Sequence, residues 1–278
     1  MTVVPDNTAW YPQDHGALID NAVKNQAIAA KVLTPVTCAG HTMGFPVLEA
    51  DPDVSWYAPG AEISLTDPET SELIVTPKAV KGLTKIANES IADSNPATAE
   101  VVGRGLARQI VEKIDNALFA ASAPANGPQG LPLHTPTTVQ VQGGLTALTD
   151  EDPFVTAKFT ALELGAELSA FVLATDVAMS LATVKVATGD ARRLLDSDDE
   201  GNLRIAGLPA YVSRHVAAGE AYGLDRSQNY LVIRQGTSVE TDRSGAFTSD
   251  STLVRAVMRA EFAITNPAGV VRLVPAGS

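Results

Sequence analysis

The chain has 278 residues, 45% of them hydrophobic, and a formal charge of −12. That apolar content excludes a disordered chain, and the length accommodates one large domain or two compact lobes. The acidic balance excludes general adhesion to nucleic acid or anionic membrane while leaving room for a local basic patch. A single cysteine, Cys38, leaves no intrachain disulfide framework. The opening M-T-V-V-P-D-N-T shows no secretory signal, and no run approaches the ~20 apolar residues that span a bilayer.

Residues 1–21 set Trp10 and Tyr11 among Pro5, Pro12 and Gly16, and read as an arm with little structure of its own. An aromatic pair on such an arm needs a covering surface, in its own chain or in a neighbour. Residues 17–33 favour a short helix and 34–37 a strand. The following stretch is broken by Gly40, Gly44, Pro46, Pro52, Pro59 and Gly60 and is too long for an ordinary connection. Trp56 and Tyr57 point to binding. Residues 45–48 and 54–57 are expected to pair as a hairpin resting on another surface, because a lone hairpin is marginal in water. Residues 73–83 read as one strand.

The strongest helix signal covers residues 96–122. Ser94 or Asn95 can cap it, Pro96 suits its first position, and Glu100 lies near its start. Val102, Leu106, Ile110, Ile114 and Leu118 recur every fourth residue, so the apolar stripe drifts around the helix and reaches more than one neighbour. Pro124, Gly127, Pro128 and Gly130 end it. Gly103 and Gly105 cost helix propensity and suggest close packing there. A rod of this length spans roughly 38 Å, about the width of a small domain.

Residues 137–142 alternate as a strand, and Gly143 and Gly144 mark a boundary. Beyond it, helices are expected over 157–164 and 176–188, with a buried strand at 170–175. Residues 190–202, with Asp196, Asp198, Asp199 and Glu200, read as a solvated excursion. Short strands follow at 203–205, 209–213, 230–234 and 238–243. From Thr252 onward, Val254, Ala256, Met258, Ala260 and Phe262 share one strand face, and Arg255, Val257, Arg259, Glu261 and Ala263 share the other. The fold class is α+β.

No catalytic constellation assembles. Cys38 and His41 have a C-x-x-H spacing without further metal ligands, and a glycine-bounded loop does not fix a nucleophile–base geometry. The acids at 196–200 lack the complete calcium-loop pattern. No P-loop, dinucleotide fingerprint, G-x-S-x-G elbow or H-E-x-x-H motif is present, and no cofactor is implied.

Several blocks, in order, carry a resemblance: F-P-V-L-E-A-D-P-D-V-S-W-Y-A-P-G-A-E-I-S, S-E-L-I-V-T-P-K-A-V-K-G-L, A-R-Q-I-V-E-K-I-D-N-A-L-F with G-P-Q-G-L, and D-S-T-L-V-R-A-V-M-R-A-E-F-A-I-T-N-P-A-G-V-V-R-L. Over residues 30–275 the chain resembles the major capsid proteins of tailed bacteriophages with the HK97-type fold. That resemblance implies an N-terminal arm at 1–39 and an extended E-loop at 40–72. It implies a peripheral domain at 73–144 and 240–278, containing the spine helix 96–122, and an axial domain at 145–239. It also implies a virion shell subunit, assembled in the host cytoplasm as pentamers and hexamers around double-stranded DNA, with no membrane partner. Separate scaffolding, portal or decoration proteins would assist; Met1 favours a scaffold supplied apart from this chain. Trp10, Tyr11, Trp56, Tyr57, Arg104 and Arg108 become the expected intersubunit contacts. Some family members crosslink through a lysine in the extended loop; this chain has none between Lys31 and Lys78, which puts that crosslink in doubt. An encapsulin-type nanocompartment enclosing cargo enzyme is the nearest alternative, and a soluble αβ enzyme using Cys38 and His41 a more distant one.

Overall fold

The structure is a computed structural model that describes residues 27–50, 54–60, 62, 69–89, 97–185, 193–197, 201–234, 238–242 and 244–277. Trp10 and Tyr11, and the expected cap residues Ser94, Asn95 and Pro96, lie outside the described residues.

The described chain opens with α1 (Ile28–Val32) running into β1 (Thr34–Cys38). A five-residue helix cannot stand on its own hydrogen bonds, since nucleation outweighs so short a propagation. It is held from the side: the Ile28 and Ala29 amides donate to the Asp115 carboxylate at 3.1 and 2.9 Å. Next come β2 (Met43–Ala50) and β3 (Glu69–Val75), paired antiparallel with Met43 opposite Val75 and Leu48 opposite Thr70. The expected hairpin is therefore corrected: residues 45–48 do lie in a strand, but their partner is 70–73. Residues 54–57 form no strand and sit near the tip, beside Pro59 and Gly60, whose φ of 84° marks a turn. The single strand expected over 73–83 is two strands. Pro77, which cannot donate a ladder hydrogen bond, separates β3 from β4 (Lys78–Ala87).

Helix α2 (Ala97–Phe119) has 23 residues and is ~35 Å long. Its stripe is buried as expected, with Ile110, Ile114 and Leu118 at the core and Leu106 and Val102 packed against it. It ends at Phe119, short of the expected 122, where the returning loop passes under its last turn. A Cβ on Gly130 would lie 2.5 Å from the Ala117 carbonyl oxygen. Gly130, not Gly105, is thus the close approach: a Cβ on Gly105 would meet open space.

After β5 (Thr137–Val141) come α3 (Asp152–Glu163), β6 (Ala170–Ala174) and α4 (Thr175–Thr183). Helix α3 starts five residues before the expected 157, with Pro153 in its first turn. Helix α4 stops at Thr183, where Val184 turns extended, five residues before the expected 188. The excursion at 190–202 is partly anchored, because Leu194 and Leu195 are buried. Then follow β7 (Asp196–Ser197), β8 (Leu203–Ile205), β9 (Leu208–Ser213), β10 (Ala221–Leu224), β11 (Asn229–Arg234), β12 (Ser238–Asp242), β13 (Ser251–Ile264) and β14 (Val270–Pro275).

Two large sheets result. In one, β13 is central: β4 pairs along one edge, β11 and β12 follow each other along the other, and β1 adds parallel to β11. In the other, the order is β5-β14-β10-β6-β9-β8-β7. Hydrogen bonding thus places β11 (229–234) with β13, and β14 (270–275) beside β5 and β10. The spine α2 packs on β4 and β13, with Leu106 against Gly82. Phe154 of α3 meets Phe171 of β6 edge-on, 5.2 Å between centroids.

Candidate assembly surfaces

A shell subunit needs a rigid body and surfaces left for its neighbours. The first such surface is the β2–β3 hairpin. Its base is fixed: Phe45 stacks on Tyr230 with centroids 4.9 Å apart, and Cys38, Val75, Val232 and Ala263 close a small core around it. Its far end is open. Trp56 is fully exposed, at 105%, Val54 is exposed at 87%, and Tyr57 is partly covered. Two large apolar side chains held away from their own core are informative, because aromatics anchor interfaces with little rotamer loss.

The spine supplies the next group. Arg104 lies on α2, and its side chain is outside the described residues. Arg108 is exposed on the same helix, and no hydrogen bond or ion pair joins it to another described residue. Glu112 pairs with Arg214 of the loop after β9 at 2.7 Å. Asp115, one turn on, is buried between α1 and that loop. Burial pushes its carboxyl above the usual range, against the pull of the Ala29 and Ile28 amides and the nearby His215 and Lys31 charges. This face of the spine therefore clamps the start of the described chain and a loop of the seven-stranded unit.

Helix α3 has apolar residues on two sides. Phe154, Ala157 and Ala161 face the sheet, while Val155, Phe159 and Leu162, at i, i+4 and i+7, form an exposed stripe. Two polar ties hold the helix over the β8–β9 turn: Lys158 Nζ donates to the Ala206 carbonyl at 3.0 Å, and the Ala206 amide donates to Glu151 at 3.0 Å.

Inside the seven-stranded unit the polar groups are structural. Arg272 makes two hydrogen bonds to Glu220, at 2.9 and 2.5 Å, and the Tyr222 hydroxyl donates to the same carboxylate at 3.3 Å. Burial, with smaller contributions from Glu220, raises the Tyr222 pKa well above that of a free phenol. The Glu220 hydrogen bond holds Arg272 more firmly protonated.

Cys38 is buried with Sγ 3.5 Å from the Gly40 carbonyl oxygen, while His41 is exposed. The pair is not a nucleophile and base. Among the described residues no group of three His, Cys, Asp or Glu side chains is placed to hold a metal, and no helix is long and apolar enough to cross a membrane. Of the expected contact residues, the structure shows Trp56 and Arg108 free of their own core and Tyr57 partly covered. It does not bring them together. The exposed stripe on α3 was missed, although the spacing of Val155, Phe159 and Leu162 was available to find it.

Comparison with known structures gives the class. The capsid of a native GTA particle with C5 symmetry matches over 89% of this chain and 90% of its own, with a TM-score of 0.68 at 16% identity. A chain from Microbacterium phage Oxtober96 matches over 90% and 91%, with a TM-score of 0.70 at 18% identity. One from Mycobacterium phage Bobi matches over 100% and 96%, with a TM-score of 0.68 at 16% identity. The fold is that of the HK97-like shell proteins. The model of the phage capsid family matches residues 11–274, and the chain belongs to that family. It is a major capsid protein, a structural component of an icosahedral shell and not an enzyme. The nanocompartment reading is not favoured by these matches. A search of curated proteins found no match.

Proposed function

We propose that this chain assembles through pentamers and hexamers into the shell that encloses phage double-stranded DNA, in the cytoplasm of the bacterial host. The observation that carries this reading is the hairpin: its base is packed into the subunit, while Trp56 and Val54 towards its far end are exposed. In that assembly Trp56 and Tyr57 seat on a neighbour, Trp10 and Tyr11 tether the arm, and Arg104 and Arg108 face a neighbouring subunit. The lobe built on α2 and β13 is the peripheral domain, and the lobe built on β6 and β10 is the axial domain. A scaffolding, portal or decoration protein acts from a separate chain.

The charge of −12 fits enclosure by confinement, since tight binding of phosphate over the whole surface needs concentrated positive charge. Electron microscopy and sedimentation of purified protein under assembly conditions test the reading. Closed shells, with pentamers or hexamers as precursors, are expected. Persistent monomers with scaffold and portal supplied would contradict it.

A further inference from the structure

We infer that the outer edge of β5 is a docking groove, in which an extended segment of a separate protein, carrying lysine or arginine, adds as a further strand to the seven-stranded sheet. This rests on the reading that a separate chain takes part in assembly, and it gives that partner a surface and a chemistry.

Strand β5 ends its sheet and pairs with β14 alone. Along a strand the N–H and C=O of one residue point to the same side, and successive residues alternate sides. The Val141 carbonyl accepts from the Ala276 amide at 3.0 Å, so Thr137, Val139 and Val141 turn their backbone polar groups toward β14. Thr138 and Gln140 therefore each turn an N–H and a C=O away from the sheet, and no described backbone group pairs with them there. Edge strands are ordinarily guarded by a charge or a bulge. T-T-V-Q-V carries no charge, and its register with β14 runs without a shift.

The edge opens into a cleft of about 330 Å³, lined also by residues 147–150 and the first turn of α3. A free edge beside a helix is an arrangement in which an extended peptide adds to a sheet: backbone bonds supply affinity, and alternate side chains enter the pocket. Val139, Leu148 and Pro153 give the cleft apolar lining, while Asp150 and Asp152 give it acid. Asp150 is held in place, accepting from the Asp152 amide at 3.2 Å and the Thr149 hydroxyl at 3.3 Å. Neither carboxylate has an ion pair among the described residues, and no lysine or arginine lines the cleft. The complementary segment alternates apolar and polar side chains and brings its own cation.

A second copy fits less well. Strands β2, β3, β7 and β12, which end their sheets, each carry an acid and no lysine or arginine. Residues 40–72 as a whole contain acids and not one lysine or arginine. Strand β1 is uncharged and interrupted by Pro35, which has no N–H to donate. Strand β4 does carry lysine, so pairing between copies is the outcome to exclude.

The test uses the unassembled full chain and a synthetic peptide of about nine residues, ~30 Å when extended, that alternates valine with threonine and ends in two lysines. Saturable binding by fluorescence anisotropy is expected, with the Thr138 and Gln140 amides gaining protection from hydrogen exchange. Methylating alternate backbone nitrogens of the peptide should abolish binding, a control that leaves the protein untouched. Replacing its lysines by glutamates should weaken binding by about tenfold or more, and Asp150→Asn/Asp152→Asn should weaken the lysine peptide by about threefold. Gln140→Pro removes an outward donor that the sheet does not use, so it should lose the peptide and keep the circular dichroism of wild type. No saturable binding up to about 1 mM would overturn the inference. So would equal binding of the lysine and glutamate peptides, or self-association of wild type that Gln140→Pro abolishes, which would assign the edge to a second copy. These outcomes leave the shell reading standing. A wild-type chain that forms no particles with scaffold and portal supplied would overturn that reading instead.

Discussion

The two large sheets are closed to different degrees. In the seven-stranded sheet, every residue of β6 and of β10 is buried, and only Arg272 and Pro275 of β14 are half-exposed. In the other sheet, β4 alternates: Val80, Gly82, Thr84 and Ile86 turn to the spine, while Lys81, Leu83 and Lys85 turn to solvent. The first sheet is closed at its centre by its own chain, although α3 beside it leaves Val155, Phe159 and Leu162 exposed. The second leaves Lys81, Leu83 and Lys85 of β4, and Trp56 of the hairpin, exposed. Stability and assembly should therefore separate by region under mutation.

The largest effect should come from the sealed sheet. Phe171→Ala removes a fully buried ring that packs on Phe154, and should cost about 3–5 kcal/mol in denaturant unfolding of the unassembled protein. A loss below about 1 kcal/mol would show that this sheet is not the rigid unit described here. Asp115→Ala comes next. It strands the buried Ala29 amide and the part-buried Ile28 amide at the start of α1, at about 1–3 kcal/mol for the first and less for the second, which water can reach. Faster proteolysis near residue 27 should accompany the lowered melting temperature, and Asp115→Asn should recover part of both.

Tyr222→Phe should cost about 1 kcal/mol at neutral pH, the value of one hydrogen bond. Its pH dependence gives a sharper test. The folded pKa of Tyr222 lies above that of an exposed tyrosine, ~10. The stability tied to its proton is therefore fully present below pH ~10 and is lost as pH climbs toward the folded value. Wild type should lose stability more steeply above pH ~10 than Tyr222→Phe, and parallel alkaline limbs would contradict the assignment. The smallest effect on the unassembled chain should come from Trp56→Ala and Leu83→Ala, each within ~0.5 kcal/mol by thermal unfolding. Both should nevertheless reduce shell yield in sedimentation. A large drop in monomer stability would mean that these side chains belong to their own core.

Local signals in the sequence were enough for the elements whose reasons are local. The four-residue step from Val102 to Leu118, with its proline and glycine stop, specified a helix, and the alternation from Val254 to Phe262 specified a strand with two unlike faces. Partnership was harder to read because it joins distant residues. Residues 45–48 could have paired with several extended neighbours, and only the folded core around Phe45 and Tyr230 selects 70–73. Strand β10 left no pattern, since four residues with a central glycine carry no alternation. A Cβ at Gly223 would lie 2.6 Å from a Leu168 methyl and 3.0 Å from the Phe171 ring, so one or both side chains would have to shift to admit it. The surfaces were partly legible. Trp56 drew attention by type, and the acid-only hairpin could be counted. That Lys81, Leu83 and Lys85 share a face with Arg255 became visible only once the strand register was set.

The division between a sealed unit and an open one is tested most directly by electron cryomicroscopy of assembled particles, at a resolution that shows side chains. The expected map places Trp56 of each subunit against another copy, with the β6–β10 core unchanged from the isolated subunit. A map with Trp56 in solvent, or folded back on its own chain, would contradict it.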